Sequence, residues 1–198
     1  MPSEAQEKLR QLVGRRTVLM KMRSQERLRK KGPTGEYIQE SLLAVIEVLD
    51  QELEKVEKSL KELIKANAQM KEKLEIMKEV EGVGDTTGIM LLGMMPELGK
   101  LENKQAASLA GLAPHPNSSG GQEGYRRVRG GREEIKTVMY MAAMAASRSE
   151  SKLGDFYDRL VERGKKKLVA QTAVARKMIV IVNAKLREYE GRKAMGDT

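Results

Sequence analysis

From Leu42 to Met77 the chain places Leu42, Ile46, Leu49, Leu53, Val56, Leu60, Leu63, Asn67, Met70, Leu74 and Met77 at alternating steps of four and three. Ten of these eleven positions are apolar, and Glu and Lys surround them. Such a stripe occupies one narrow edge of an α-helix. It predicts a coiled coil over 36–80, whose seam runs about 54 Å at 1.5 Å per residue. Asn67 falls at an a position, where a polar residue commonly sets register and strand number at a cost in stability. Two partners suit the seam. A second chain would make Leu42, Ile46, Leu49, Leu53, Val56, Leu60, Leu63 and Asn67 the contact residues of at least a dimer. Alternatively, the helix lies along its own residues 4–31. Self-association is the expectation.

Composition narrows the rest. Only five Tyr and one Phe stand among 198 residues, with no Trp. That scarcity argues against a β-sandwich or barrel, whose pleated faces draw on aromatic and β-branched side chains. The absence of cysteine removes disulfides, thiol nucleophiles and Cys-ligated zinc, and a single histidine removes multi-His metal sites. No apolar run approaches the ~20 residues of a membrane span, and no apolar stretch follows the N-terminal charges. The expectation is an all-α, cytoplasmic protein that binds no cofactor or metal of its own.

The net charge of +9 is unevenly spread. Residues 1–31 hold ten Lys/Arg against three Glu, and 36–81 hold seven Lys against twelve acids. Residues 159–187 hold nine Lys/Arg against one acid, Glu162. Basic ends flanking an acidic middle suit a polyanion, whose bound counterions are released when Lys and Arg replace them. The alternative is a solvated basic surface.

Along the chain, 1–35 reads as a basic helical arm stopped by Gly32-Pro33-Thr34-Gly35. After the heptads, Gly82-Val83-Gly84-Asp85 reads as a helix–hairpin–helix-like turn, with Asp85 able to cap the next helix. Gly82 and Gly84 would let backbone N–H groups approach a phosphate at that helix N-terminus. A turn between two packed helices uses glycines equally well. Residues 86–95 and 103–112 predict short helices. Segment 113–131 differs in kind: two prolines, five glycines and three arginines predict a long Gly/Arg loop. Helices follow over 132–149, 152–163 and 167–190, the last two divided at Gly164, before a flexible tail over 191–198.

Chemistry, if the chain performs any, belongs in that loop. Ser119 precedes Gly120-Gly121, with Arg126, Arg127 and Arg129 close in sequence. A serine attacking a phosphodiester needs an exposed hydroxyl and cations to stabilise the charge that builds on phosphorus. A Ser-Ser-Gly-Gly sequence is also an ordinary turn. His115, between two prolines, could act as a base, and Tyr125 and Tyr140 could contact phosphate. Tyr140, amid Val138, Met139 and Met141, is expected to be half-buried. Arg163, Lys165, Lys166, Lys167, Arg176 and Lys177 are the candidates for DNA contact.

Three stretches carry a family resemblance: EGVGDTTGIMLLGMMPELG (81–99), ASLAGLAPHPNSSGGQEGYRRVRGGREEIKTVMYMAAMAA (107–146) and FYDRLVERGKKKLVAQTAVARKMIVIVNAKL (156–186). Together they resemble the C-terminal portion of the insertion sequence 110/116/902 transposases, the RNA-guided bridge recombinases. The resemblance implies a serine transposase domain over 81–190. It implies that a serine before glycine, after the GLAP stretch, forms a covalent link to DNA. Here that is Ser119, with Ser118 the adjacent register. It further implies that Arg126, Arg127, Arg129, Lys136 and Tyr140 surround the site. Lys136 stands where members often carry arginine, keeping the charge without the bidentate fork.

Members also begin with a RuvC-like α/β domain whose four acids hold divalent metal (Mg), and no such acidic set is found in 1–198. The resemblance thus implies a serine half needing a RuvC-like partner chain, with DNA and a structured guide RNA as further partners. The other reading is a catalytically inactive truncated transposase that binds nucleic acid and dimerises.

Overall fold

The computed structural model describes residues 3–119, 122–128 and 130–196. The described residues form eight α-helices and one short hairpin, so the expected all-α class holds for the body of the protein. The chain divides into two compact units, Met1–Lys71 and Glu72–Thr198.

The first unit is a pair of packed helices, α1 (Glu4–Lys30) and α2 (Gln39–Ala66), joined through a 3-10 turn at Pro33–Gly35. Ser3 starts α1 by accepting a hydrogen bond from the Gln6 amide at 3.2 Å. Glu4 and Glu7 in its first turn and Arg27, Arg29 and Lys30 in its last complement the helix dipole. Leu19 of α1 and Leu49 and Leu53 of α2 form one buried cluster, flanked by Met20 and Val56. Ion pairs run beside it, Arg23 to Asp50 at 2.6 Å and Arg16 to Glu57 at 2.8 Å.

The heptad seam is therefore occupied within the chain. Leu42, Ile46, Leu49, Leu53 and Leu60 are buried in a single copy, and α1 supplies the helix that a second chain was expected to supply. The alternative reading, in which the helix lies along residues 4–31 of its own chain, describes the single copy.

Asn67 is a second correction. It sits outside both helices, ending α2 and preceding α3 (Ala68–Lys78), with φ −115° and ψ 102°. Its Oδ1 accepts a hydrogen bond from the Met70 amide at 2.9 Å. The side chain serves as a helix cap, and sets no strand register.

The second unit is organised around α8 (Lys167–Ala194), which packs against α5 (Asn103–Leu109), α6 (Glu133–Ala146) and α7 (Lys152–Glu162). Because α8 continues to Ala194, it takes in part of the stretch expected to be a flexible tail. The core pairs its large residues, among them Met178, Ile179 and Val182, with Ala106, Ala107, Ala110, Ala142, Ala143 and Ala146. Alanines at these positions let helix axes approach closely.

Asn183, fully buried on α8, accepts a hydrogen bond from the Gly99 amide at 2.9 Å and donates one to the Leu101 carbonyl at 2.8 Å. It ties the loop before α5 to α8. At the other end, Lys73 to Glu190 (2.6 Å) and Lys185 to Glu79 (2.6 Å) join the latter part of α3 to α8.

Replacing Asn67 with alanine removes the cap on α3. It should lower unfolding free energy by about 1 kcal/mol in denaturant titration. A gain in stability would instead show that α2 and α3 run on as one helix.

Candidate active site

The segment expected to be a long loop is a two-stranded antiparallel hairpin, β1 (Pro114–Ser119) with β2 (Gln122–Val128). Pro114 pairs with Val128 and His115 with Arg127; the register then slips before Asn117 meets Gly124. The slip falls at Pro116, which has no N–H to give the ladder. Ser118 pairs with Glu123 and Ser119 with Gln122. Ser119 is thus the last paired residue of β1, and Arg126 and Arg127 lie on β2. Gly120, Gly121 and Arg129 lie outside the described residues.

The foot of the hairpin is built from glycines. At the end of α5, Gly111 takes φ +68°; its amide bonds to the Ser108 carbonyl (2.9 Å) and the Leu112 amide to the Ala107 carbonyl (2.8 Å). This is a Schellman cap, which turns the chain out of α5 toward β1. The returning strand crosses it. A Cβ on Gly131 would lie 2.2 Å from the Gly111 nitrogen, and one on Gly111 would lie 2.5 Å from the Gly130 carbonyl oxygen. The Arg132 amide then donates to the Leu109 carbonyl at 2.8 Å.

Arg132, the N-cap residue of α6, fastens this crossing to α4 (Asp85–Met94) and the turn after it. Its guanidinium forks onto both Glu97 carboxylate oxygens, at 3.0 and 2.5 Å, and also donates to the Met94 carbonyl. The Arg132 hydrogen bond holds the Glu97 carboxyl below the usual carboxylate range, against the opposing effect of burial. Its stabilisation is present at neutral pH and is lost as pH falls through that lowered value. Neither Glu97 nor Arg132 stands out in the sequence, since they lie 35 residues apart with no motif joining them.

Lys136 is brought to the same place. Its Cδ would lie 3.5 Å from a Cβ on Gly111, and its Nζ pairs with Glu133 at 2.7 Å. Tyr140, one turn further along α6, is half-buried as expected.

The turn between α3 and α4 uses its two glycines differently. Gly82, at φ +83°, packs so tightly on α6 that a Cβ would fall 2.4 Å from the Ala142 carbonyl oxygen. Its bareness serves helix packing. Gly84 has open space around it and is the N-cap residue of α4. Asp85 makes no capping bond; it is the first residue of α4 and pairs with Lys78 at 3.0 Å.

The remaining basic candidates form two groups. Arg163, Lys165, Lys166 and Lys167 are all exposed in the turn between α7 and α8. There Gly164, at φ +77°, makes a second Schellman cap. Arg176 and Lys177 lie about 14 Å further along α8, at 1.5 Å per residue. Lys177 places its Nζ 4.4 Å from the centre of the Phe156 ring.

Among the described residues no group of three or more His, Asp or Glu is placed to hold a metal ion, and no helix is long and apolar enough to cross a membrane.

The glycine crossing gives an internally controlled test. Gly131→Ala sets a Cβ against backbone and should cost at least about 2 kcal/mol, whereas Gly130→Ala, with nothing within 4 Å, should cost only the left-handed backbone penalty of about 1 kcal/mol. Equal losses in thermal unfolding would contradict the crossing.

Residues 74–158 match the model of the Transposase IS116/IS110/IS902 family. That range takes in the α3–α4 turn, Glu97, the glycine crossing, the hairpin and Arg132, and stops short of the basic turn at 163–167. The chain is also similar to the insertion element IS110 uncharacterized 43.6 kDa protein of Streptomyces coelicolor, 32% identical over 126 residues. The similarity covers 61% of this chain and 31% of that protein, so it spans about a third of the relative's length. From the latter part of α3 into α7, the chain is thus similar to the IS116/IS110/IS902 transposases.

Proposed function

We propose that the chain is a DNA-handling transposase domain in which Ser119 is the nucleophile. The observation that carries this reading is the family match over 74–158, which brackets the hairpin and both of its glycine feet. In the proposed step Ser119 Oγ attacks a backbone phosphorus and loses its proton. A sugar oxygen is displaced and takes up a proton, leaving DNA esterified to the serine. The position suits a nucleophile, because the last paired residue of a strand sits at the end of a ribbon whose foot is fixed.

Arg126, Arg127 and Lys136 would offset the charge on phosphorus. In this proposal any divalent-metal chemistry belongs to a RuvC-like partner, and no step here runs through it. Guide RNA and self-association belong to the same proposal. The turn at 163–167 is the proposed nucleic-acid contact. Arg163, Lys165, Lys166 and Lys167 are all exposed there, and Lys166 and Lys167 stand at the N-terminal end of α8, where backbone N–H groups face outward. A bound phosphate would meet both the lysines and those N–H groups.

Ser119→Ala should abolish a covalent DNA adduct in a reaction supplied with the RuvC-like domain, guide RNA and DNA, while folding and DNA affinity stay near wild type. Ser118→Ala should keep the adduct; the reverse pattern would move the nucleophile by one residue. If neither variant nor wild type forms an adduct, the inactive DNA-binding reading takes over.

Neutralising Lys165, Lys166 and Lys167 together should weaken binding similarly across DNA sequences. It should flatten the salt dependence by about one unit of slope for each phosphate that is no longer neutralised. An unchanged slope would place the nucleic-acid surface elsewhere.

A further inference from the structure

We infer that Glu97 and Arg132 are positioning residues: their ion pair fixes the direction in which the hairpin leaves the helical body, and through it the place of Ser119. The part of this inference that concerns Ser119 rests on the reading above; the part that concerns the hairpin does not.

Three features converge on the clamp. The crossing of Gly111 under Gly130 and Gly131 brings the two feet of the hairpin together, which sets their separation. A crossing alone still leaves a two-stranded ribbon free to swing about its foot, since an isolated hairpin has little stability of its own. The swing is opposed at Arg132, immediately after the crossing. There the backbone bonds to Leu109, at the end of α5, and the side chain bonds to Met94, the last residue of α4, and to Glu97 in the turn after it. One residue therefore ties the returning strand to two separate parts of the body.

The bond type matters as well. A forked guanidinium–carboxylate pair defines an orientation, which a single point contact cannot do. The pair is roughly one-third exposed on both partners, 33% for Arg132 and 37% for Glu97. Its contribution to overall stability is correspondingly modest. Its geometric effect, at the root of a lever, is larger than its energetic one.

Glu97 follows Pro96 in the turn after α4, and the loop that continues from it is held to α8 by the Gly99 and Leu101 bonds to Asn183. The clamp thus reaches from the hairpin, through Glu97, to the longest helix of this unit.

The test uses the full chain with Glu97→Gln, Arg132→Lys and the charge-exchanged pair Glu97→Arg with Arg132→Glu. Hydrogen exchange of the strand amides in β1 and β2 is read against amides of α8. Adduct formation at saturating DNA is read alongside DNA affinity. Glu97→Gln should speed strand exchange by about tenfold while leaving α8 amides within about twofold. It should slow adduct formation by about tenfold at unchanged DNA affinity, as expected when reacting groups are misplaced without loss of binding. Arg132→Lys should behave the same way, because an ammonium cannot fork, and the charge-exchanged pair should recover part of both losses.

Strand exchange that is unchanged in Glu97→Gln would overturn the clamp, as would a slower adduct explained entirely by weaker DNA binding. A wild-type chain that forms no adduct, combined with faster strand exchange in Glu97→Gln, would sink the serine reading and leave the hairpin clamp standing.

Discussion

Two backbone segments cross at the foot of the hairpin at a distance that no side chain permits. With a Cβ on Gly131 placed 2.2 Å from the Gly111 nitrogen, either the strand must lift or α5 must end differently. Everything beyond the crossing depends on it. The Schellman turn at Gly111 aims β1 outward, the Arg132 amide closes onto Leu109, and α6 begins with Arg132 already anchored to Glu97. Both glycines also sit at positive φ, so the close approach and the left-handed backbone are met by the same residue type.

The heptad stripe shows what a periodic pattern can and cannot convey. It marked the buried edge of the helix well: Leu42, Ile46, Leu49, Leu53 and Leu60 are all buried. The identity of the partner was not legible, because a stripe records only that a face is covered. The register also drifts. Near the end of α2 the buried residue is Ile64, and Leu63 is half-exposed. An α-helix of 3.6 residues per turn rotates about 20° per heptad against a strict 3.5 repeat, so a stripe read over three heptads shifts to the neighbouring position. Asn67 stood on the pattern and yet left the helix. Its short amide competes for the backbone, and it caps α3 through the Met70 amide.

The candidate site was legible in its punctuation and hidden in its clamps. Gly130, Gly131 and Gly164 are read from sequence as breaks, and each is a turn at positive φ; Gly111, expected inside a helix over 103–112, instead ends α5 at positive φ. A hairpin was not anticipated over 114–128 because its strands carry two prolines and few β-branched residues. The register slip at Pro116 is how the ladder accommodates one of them. The Glu97–Arg132 pair and the Asn183 bonds to Gly99 and Leu101 join residues far apart in the chain. No local pattern records such a pair, since each member alone is an ordinary polar residue. Gly82 has a second reason to be glycine. The space that its side chain would fill is taken by α6, a packing reason for glycine that no local pattern shows.

The start of α8 departs from the electrostatic rule that most helices of this chain obey. Glu4 and Glu7 open α1, Glu40 opens α2, Asp85 opens α4, Glu133 and Glu134 open α6, and Asp155 opens α7, each setting negative charge near a positive helix end. At α8 the order is reversed, with Lys166 as the N-cap residue, Lys167 first in the helix and no acid in the first turn. A cation at a positive helix end costs a few tenths of a kcal/mol to about 1 kcal/mol where no other group offsets it. A core as well packed as that around Met178 and Ile179 can bear such a cost. Local rules are broken most often where a ligand supplies the missing term. Under the proposed function that ligand is phosphate: backbone N–H groups and lysines at one helix end would meet the same anion.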